Sequence, residues 1–438
     1  MIKLKLLDLA KKSKINRWYD FFLATLQWER RQLEEYQNAR LRKLLQYAYD
    51  NIEFYRMGMQ ERNVLPSQVN SFRDLERLPM IHRDDIRANG NKLTPVAIEL
   101  SKCHKGTSSG TTGVPITYYH DVTGESAGMA AGYVLWSMSG WRFGKRNVHI
   151  WGNATSIQRW ATWSSRAKNV LIRQLNIPSI WLDDPEGIED VSRKIMKFDP
   201  ISIEGYPGAI YTLAQHCQKK GYSLPSLKQV LTTAENLESY QRSLIEKVFA
   251  PTGDLYGSGE VLGIATRPIA DDKYYVFDPH VIVEAVDSWI PGTKDVVVTD
   301  LDNYAMPLIR YRIGDMIDDL HLPEKGSQYP FSYFNRIIGR NSDIVDLPNG
   351  KRFHPINIFG GTLFRKYPEI VRHKVIWNGK LLKILFETVK PVNAKGIETD
   401  IKELLSVYEV PFMIKYVDQI LPATNGKYKY FEKVVSAD

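Results

Sequence analysis

The run Thr107-Ser108-Ser109-Gly110-Thr111-Thr112-Gly113-Val114-Pro115, leading into the strand-like Ile116-Thr117-Tyr118-Tyr119-His120-Asp121, decides how the rest of the chain is read. Glycines remove the Cβ atoms that keep successive backbone N–H groups from converging, and Ser/Thr hydroxyls add donors that rotate to suit an acceptor. Such a loop between two strands can wrap the oxygens of a triphosphate. It lacks the Gly-Lys-Ser/Thr ending of a Walker loop, which counts against ordinary P-loop NTPase chemistry. A Ser/Thr/Gly-rich stretch alone is more often a solvated loop, so the order SSGTTG and its setting carry the weight.

A chain of 438 residues suits a large domain plus a smaller one. With 43% hydrophobic and 25% charged residues it matches soluble globular proteins and not disordered, collagen-like or disulfide-scaffold classes. The lysine-rich start has no apolar signal core and no apolar run is long enough to span a bilayer, so a cytoplasmic protein without a transmembrane segment is expected. Cys103 and Cys217 stand far apart with no Cys/His cluster at zinc spacing, which disfavours disulfides and structural zinc. The net charge of +8 suits anionic ligands such as nucleotides or CoA, or simply a solvated basic surface. No motif points to a nucleic-acid partner. Oligomeric state is not legible, and a homodimer stays open.

Residues 18–50 contain no Gly or Pro and space their apolar positions helically, which predicts one or two amphipathic helices within a helical entry segment, residues 1–90. Beyond residue 144, strand-like 147–153 and 228–235 alternate with helix-like 208–221 and 239–250, the texture of βαβ units and a largely parallel sheet. Residues 274–287, 294–301 and 306–315 read as strands without intervening helices, hence an antiparallel portion; the last is read as a strand ending in Gly314-Asp315. From residue 347 a small α+β unit is expected, with strands in 373–389 and 411–418 and a helix in 396–408. The fold class is α/β with mixed sheets, divided as 1–340, a hinge at 341–346, and 347–438.

Four further motifs follow the loop in order: Thr233-Ala234-Glu235-Asn236; Asp254-Leu255-Tyr256-Gly257-Ser258-Gly259-Glu260; Pro307-Leu308-Ile309-Arg310-Tyr311-Arg312-Ile313-Gly314-Asp315; and Arg336-Ile337-Ile338-Gly339-Arg340-Asn341-Ser342-Asp343. A Gly426-Lys427 turn within Leu421-Pro422-Ala423-Thr424-Asn425-Gly426-Lys427-Tyr428-Lys429 closes the series. Together with residues 47–89, which end in DLERLPMIHRDDIRAN, they resemble the adenylate-forming (ANL) superfamily, in its phenylacetate-CoA ligase and capsule-biosynthesis (CapK-like) branch. The resemblance runs from about Tyr47 to Lys433.

That resemblance implies a large adenylate-forming domain followed by a small mobile one, using ATP and Mg²⁺. Ser108, Ser109, Gly110, Thr111, Thr112 and Gly113 correspond to the phosphate loop, with Thr111 among the catalytic positions. Thr233, Ala234, Glu235 and Asn236 match an adenine-pocket segment whose first residue is usually Gly. Asp254, Leu255, Tyr256, Gly257 and Ser258 match a nucleotide-binding run in which Tyr256 stacks on adenine and Glu260 holds magnesium; Gly259 replaces the usual Ser. Asp315 matches the ribose-binding aspartate and Arg340 the arginine that contacts the nucleotide. Ser342 stands at the hinge where relatives have Asp, followed by Asp343. Lys427 matches the adenylating lysine, with Lys429 as rival because an i, i+2 pair on a strand points the same way. Trp151, Tyr206, Gly257 and Gly259 are candidate acyl-pocket walls. The implied reaction is attack of a carboxylate on ATP to give an acyl-adenylate and pyrophosphate, then transfer to an acceptor, CoA in the ligases. Transfer to an amine or hydroxyl of a sugar or surface-polymer precursor remains an alternative, as does a non-catalytic nucleotide-binding remnant.

Overall fold

The Gly- and Pro-free stretch forms two helices, Ile15–Thr25 and Arg30–Asn51. The second buries Leu33, Gln37, Leu41, Leu44, Leu45 and Ala48, one face at three- and four-residue spacing. Its start is closed by the Glu29 backbone N–H donating to Gln32 Oε1 at 3.0 Å. The buried Gln37 amide fixes the helix by donating to the carbonyls of Asp278 (2.8 Å) and Val281 (3.1 Å). These contacts come from a computed structural model that describes residues 2–108, 115–152, 160, 162–355, 363, 366–367, 369–388, 390–423 and 427–434.

The chain divides into two units, each discontinuous in sequence. The first comprises Met1–Lys145, Val170–Arg173 and Gly253–Ile337; the second comprises Arg146–Asn169, Gln174–Thr252 and Ile338–Asp438.

In the first unit, Val281–Asp287, Lys294–Asp300 and Tyr311–Ile317 pair antiparallel in sequence order, as their texture indicates. The strand read from 306–315 is displaced, however. Arg310 adopts φ +52°, which ends the preceding irregular stretch and delays the strand to Tyr311. Gly314, at φ +92°, then allows a register shift opposite Asp295 and Val297, so Gly314 and Asp315 lie within the strand and do not end it. The hairpin His104–Thr107 and Thr117–His120 frames the hydroxyl-rich loop.

In the second unit, Gln174–Ile177, Asn147–Ile150, Ser202–Gly205 and Gln229–Thr233 form a parallel run in that spatial order. The intervening helices Pro185–Phe198 and Pro207–Lys220 each begin with Pro, whose fixed φ suits a first helical turn. Asp184 caps the first of them by accepting from the Gly187 N–H at 2.6 Å. The C-terminal part orders its strands Phe412–Val417, Leu382–Thr388, Ile370–Trp377, Phe431–Lys433 and carries the helix Ala394–Leu405, the expected α+β pattern. Val375, Leu382, Ile384, Phe386, Ile397 and Ile401 are its core. Among the described residues, no helix is long and apolar enough to cross a membrane.

Candidate functional site

In the first unit, Ser108 closes the neck of the loop. Its N–H donates to the Ile116 carbonyl at 2.9 Å and its Oγ accepts from the Ile116 N–H at 3.1 Å. Ser109, Gly110, Thr111, Thr112 and Gly113 lie outside the described residues. Arg83, at the start of helix Arg83–Asn89, donates through Nη2 to Ser108 Oγ, and the same nitrogen lies 3.5 Å from Glu260 Oε1. The Glu260 side chain is only 5% exposed, so it is not the solvated turn residue that an isolated YGSGE would suggest.

The turn carrying Glu260 is held from several directions. Ser258 N–H donates to the Val261 carbonyl (2.9 Å) and Val261 N–H to Ser258 Oγ (3.1 Å). His120 Nε2 lies 3.2 Å from the Gly259 carbonyl, and His280 Nε2 lies 3.1 Å from that of Leu262. Tyr118 reaches over Gly106 to Gly259; burial first, and then the Glu260 charge, push its phenol up to about 12.

His280, Asp300 and Asp302 are clustered tightly enough to suggest a cation site. Their bonding argues otherwise, because His280 Nδ1 faces Asp302 Oδ2 at 2.7 Å while Nε2 faces the Leu262 carbonyl. With acceptors on both nitrogens the imidazole must carry two protons. Burial opposes that charge, but Asp300 and Asp302 outweigh it and raise the pKa. Arg40 pairs with the other oxygen of Asp302, completing a buried ion network with no nitrogen left for a metal.

Tyr256 donates its hydroxyl to Asp315 Oδ2 at 2.9 Å, which aligns that carboxylate. The Tyr256 ring is 7% exposed and meets Phe334 edge-on at 6.1 Å. Asp254 accepts from the Tyr274 hydroxyl at 2.6 Å, and Leu255 packs against the core that includes Phe22 and Phe277.

In the second unit, Thr233 ends its strand and Ala234 turns the chain at φ +69°. A non-glycine residue there costs on the order of 1 kcal/mol or more, so the surroundings must hold it. They do so through Lys427, whose Nζ donates to the Ala234 carbonyl at 3.3 Å. The next residue, Glu235, accepts from the Gly208 N–H (3.2 Å) and the Tyr428 N–H (2.9 Å). Burial raises its carboxyl to about 7. A β-carbon on Gly208 would fall 2.5 Å from the Tyr428 ring, so glycine is needed for this approach. Tyr428 in turn donates to Asp183 (2.7 Å) and lies 4.3 Å beneath the Arg372 guanidinium. Asn236 follows, half-buried.

Lys427 Nζ also lies 5.4 Å over the Tyr206 ring, and Tyr206 lies 4.4 Å from Trp151. The two candidate pocket aromatics are therefore brought together beside the lysine. Residues 427–429 precede the strand Phe431–Lys433 and are not part of it, so the i, i+2 strand argument for Lys429 does not apply. Arg340 ends the strand Ile337–Arg340, and its carbonyl accepts from His354 Nε2 at 3.1 Å; burial lowers His354 to about 4, keeping it neutral. Ser342 and Asp343 lie in the short helical turn Asn341–Asp343.

No family model matches the chain. Over 318 residues it is 26% identical to protein CapK of Staphylococcus aureus, covering 72% of this chain and 69% of CapK. It is 25% identical over 317 residues to the phenylacetate-coenzyme A ligase of Thermus thermophilus, covering 66% of each. The chain is similar to the phenylacetate-CoA ligases and to CapK. The fold agrees: 2-hydroxyisobutyryl-CoA ligase, solved in its postadenylation state with 2-HIB-AMP, superposes with a TM-score of 0.71 at 18% identity, covering 92% of this chain and 90% of that one.

The sequence motifs do not single out Arg83, Tyr118, His149 or Glu204. Arg83 was visible only as one of the basic residues of the HRDDIRAN stretch. Tyr118 carried a weak signal in the glycines at 106 and 259, which make room for it.

Proposed function

We propose that the protein activates a carboxylic acid with ATP, forming an acyl-adenylate and pyrophosphate, and then passes the acyl group to CoA. One observation carries the reading: a single guanidinium, Arg83, reaches both Ser108 of the hydroxyl loop and the nearly buried Glu260. Loop hydroxyls, a cation and a hard carboxylate suit a polyphosphate. Phenylacetate-CoA ligases among the relatives, and a neighbour of like fold bound to an acyl-adenylate, support it.

The donor set fits magnesium, which prefers one or two carboxylates together with phosphate oxygens and water; Glu260 would supply the carboxylate. When bound with ATP, the ion would neutralise phosphate charge. The chain's own residues do the positioning. Ser108 and the loop it opens hold phosphate oxygens, with Arg83 adding charge. Asp315, aligned by Tyr256, accepts from ribose hydroxyls. The backbone of Thr233, Ala234, Glu235 and Asn236 borders the purine, with Arg340 as a nucleotide contact. Lys427 offsets the negative charge that builds as the carboxylate oxygen bonds to the α-phosphorus and pyrophosphate departs. The reaction requires two anions that repel to be aligned for in-line displacement. Ser342 and Asp343 supply the pivot for a domain movement between the two half-reactions.

The test is pyrophosphate and AMP release from ATP across a panel of acids, followed by product mass with CoA, amines and amino sugars supplied in turn. Acid-dependent pyrophosphate with an acyl-CoA product supports the reading. An amide or ester product with no acyl-CoA would keep the first half and replace the acceptor. No pyrophosphate from any acid would favour a nucleotide-binding remnant.

A further inference from the structure

A second group of chemically active side chains lies on the parallel sheet of the second unit. His149 and Glu204 are register partners on adjacent strands, and His149 Nδ1 lies 2.6 Å from Glu204 Oε1. The Glu204 side chain is 4% exposed, and its Oε2 is buried with no partner among the described residues. Taking a carboxylate out of water with one oxygen unsatisfied is unfavourable. An apolar residue in that central strand would avoid the cost, so the carboxylate is better explained by what it does to the imidazole.

His149 keeps 22% of its side-chain surface open. Its ring stacks on Trp151 at 5.5 Å and 18°, Trp151 meets Tyr206 at 4.4 Å, and Tyr206 carries the Lys427 ammonium at 5.4 Å. The imidazole thus belongs to a continuous row of rings that starts beside Lys427 and passes on to Trp160, which meets it edge-on at 6.2 Å. Glu204 fixes Nδ1 as the protonated nitrogen, and no described residue engages Nε2. A histidine oriented by a buried carboxylate, with its other nitrogen open, is arranged to accept a proton.

We propose that His149, oriented by Glu204, is the general base of the second half-reaction and deprotonates the acyl acceptor; this rests on the adenylate-forming reading above. The acceptor is a nucleophile that arrives protonated, a thiol, amine or hydroxyl. Its X–H bond breaks and the proton goes to Nε2. Its electron pair forms the X–C bond to the acyl carbon, and the C–O bond to AMP breaks with the pair leaving on AMP. The imidazolium, balanced by the Glu204 carboxylate, then returns its proton to water. The first half-reaction needs no such base, because the attacking carboxylate is already ionised.

The experiment measures the two halves separately in the full-length parent, His149→Gln and His149→Ala. Acid-dependent pyrophosphate release reports the first, and discharge of acyl-adenylate by CoA or an amine reports the second. His149→Gln is expected to release pyrophosphate within about threefold of the parent and to discharge acyl-adenylate about 100-fold more slowly. Added imidazole should restore part of the discharge in His149→Ala, which a packing defect would not allow. Discharge at the parent's rate in His149→Gln, or an equal fall in both halves, overturns the proposal and leaves adenylation standing. A parent that releases no pyrophosphate with any acid overturns the adenylate-forming reading itself.

Discussion

The phenolic oxygen of Tyr118 lies 2.3 Å from the point where a β-carbon on Gly259 would stand. The same ring fills the Cβ position of Gly106, its cross-strand partner, at 2.2 Å. The departure from the family's Ser at 259 is therefore half of an exchange, in which Tyr118 occupies the space the missing side chain leaves. Gly259→Ser should overpack the turn and cost about 1–3 kcal/mol in denaturant unfolding. Tyr118→Ala should recover most of that loss in the double variant. Purely additive effects would show that the two positions do not share this space.

Arg83 and Glu260 make a second test. Glu260→Gln keeps the shape and removes the charge, so pyrophosphate release should fall at least about 100-fold, or about 2.7 kcal/mol in barrier height. The magnesium concentration needed for half-maximal rate should rise. An unchanged magnesium dependence would remove Glu260 as the metal-binding carboxylate.

Lys427 and Lys429 differ in placement. Lys427 reaches Ala234 and Tyr206, whereas Lys429 lies near the Glu432 carboxylate. Lys427→Ala should lower the adenylation rate by about 100- to 1,000-fold, a range typical for loss of one transition-state donor. ATP affinity, read by calorimetry, should stay within about threefold of the parent. Lys429→Ala should adenylate nearly as the parent does, and the reverse pattern would exchange the two roles.

Glu235 gives a pH dependence. Burial raises its carboxyl from 4.5 to about 7, so the folded chain binds this proton more tightly than the unfolded chain. Its contribution to stability is then full below about pH 4.5 and is lost as pH rises through about 7. Thermal unfolding should show a decline across that window. Glu235→Gln should flatten it, while losing stability overall because an amide has one acceptor oxygen for the Gly208 and Tyr428 N–H groups. An identical slope in the variant would assign the pH dependence to other groups.

The elements of the fold were largely legible because their signals are local. The helices Ile15–Thr25 and Arg30–Asn51 follow from unbroken periodicity, and the C-terminal strands and helix from alternation punctuated by Gly and Asn. The strand at Tyr311–Ile317 was misplaced because its boundaries depend on the left-handed turn at Arg310 and the bulge at Gly314, which tertiary pairing selects. Motif order likewise pointed to Glu260, Asp315 and Lys427. It could not reveal Arg83 against Glu260 or His149 against Glu204, since each pair is distant in sequence and meets only through the fold. The lysine pair was misread for a similar reason, because the strand that would have aligned both ammonium groups begins only at Phe431.

The central claim is activation of a carboxylate through an acyl-adenylate. Its most direct test is to incubate the protein with Mg·ATP and a panel of acids, quantify pyrophosphate, and determine the mass of the enzyme-bound product. The account predicts stoichiometric pyrophosphate with at least one acid and a bound species with the mass of that acid joined to AMP. ATP turnover that yields ADP and phosphate, or no nucleotide cleavage with any acid, would contradict it.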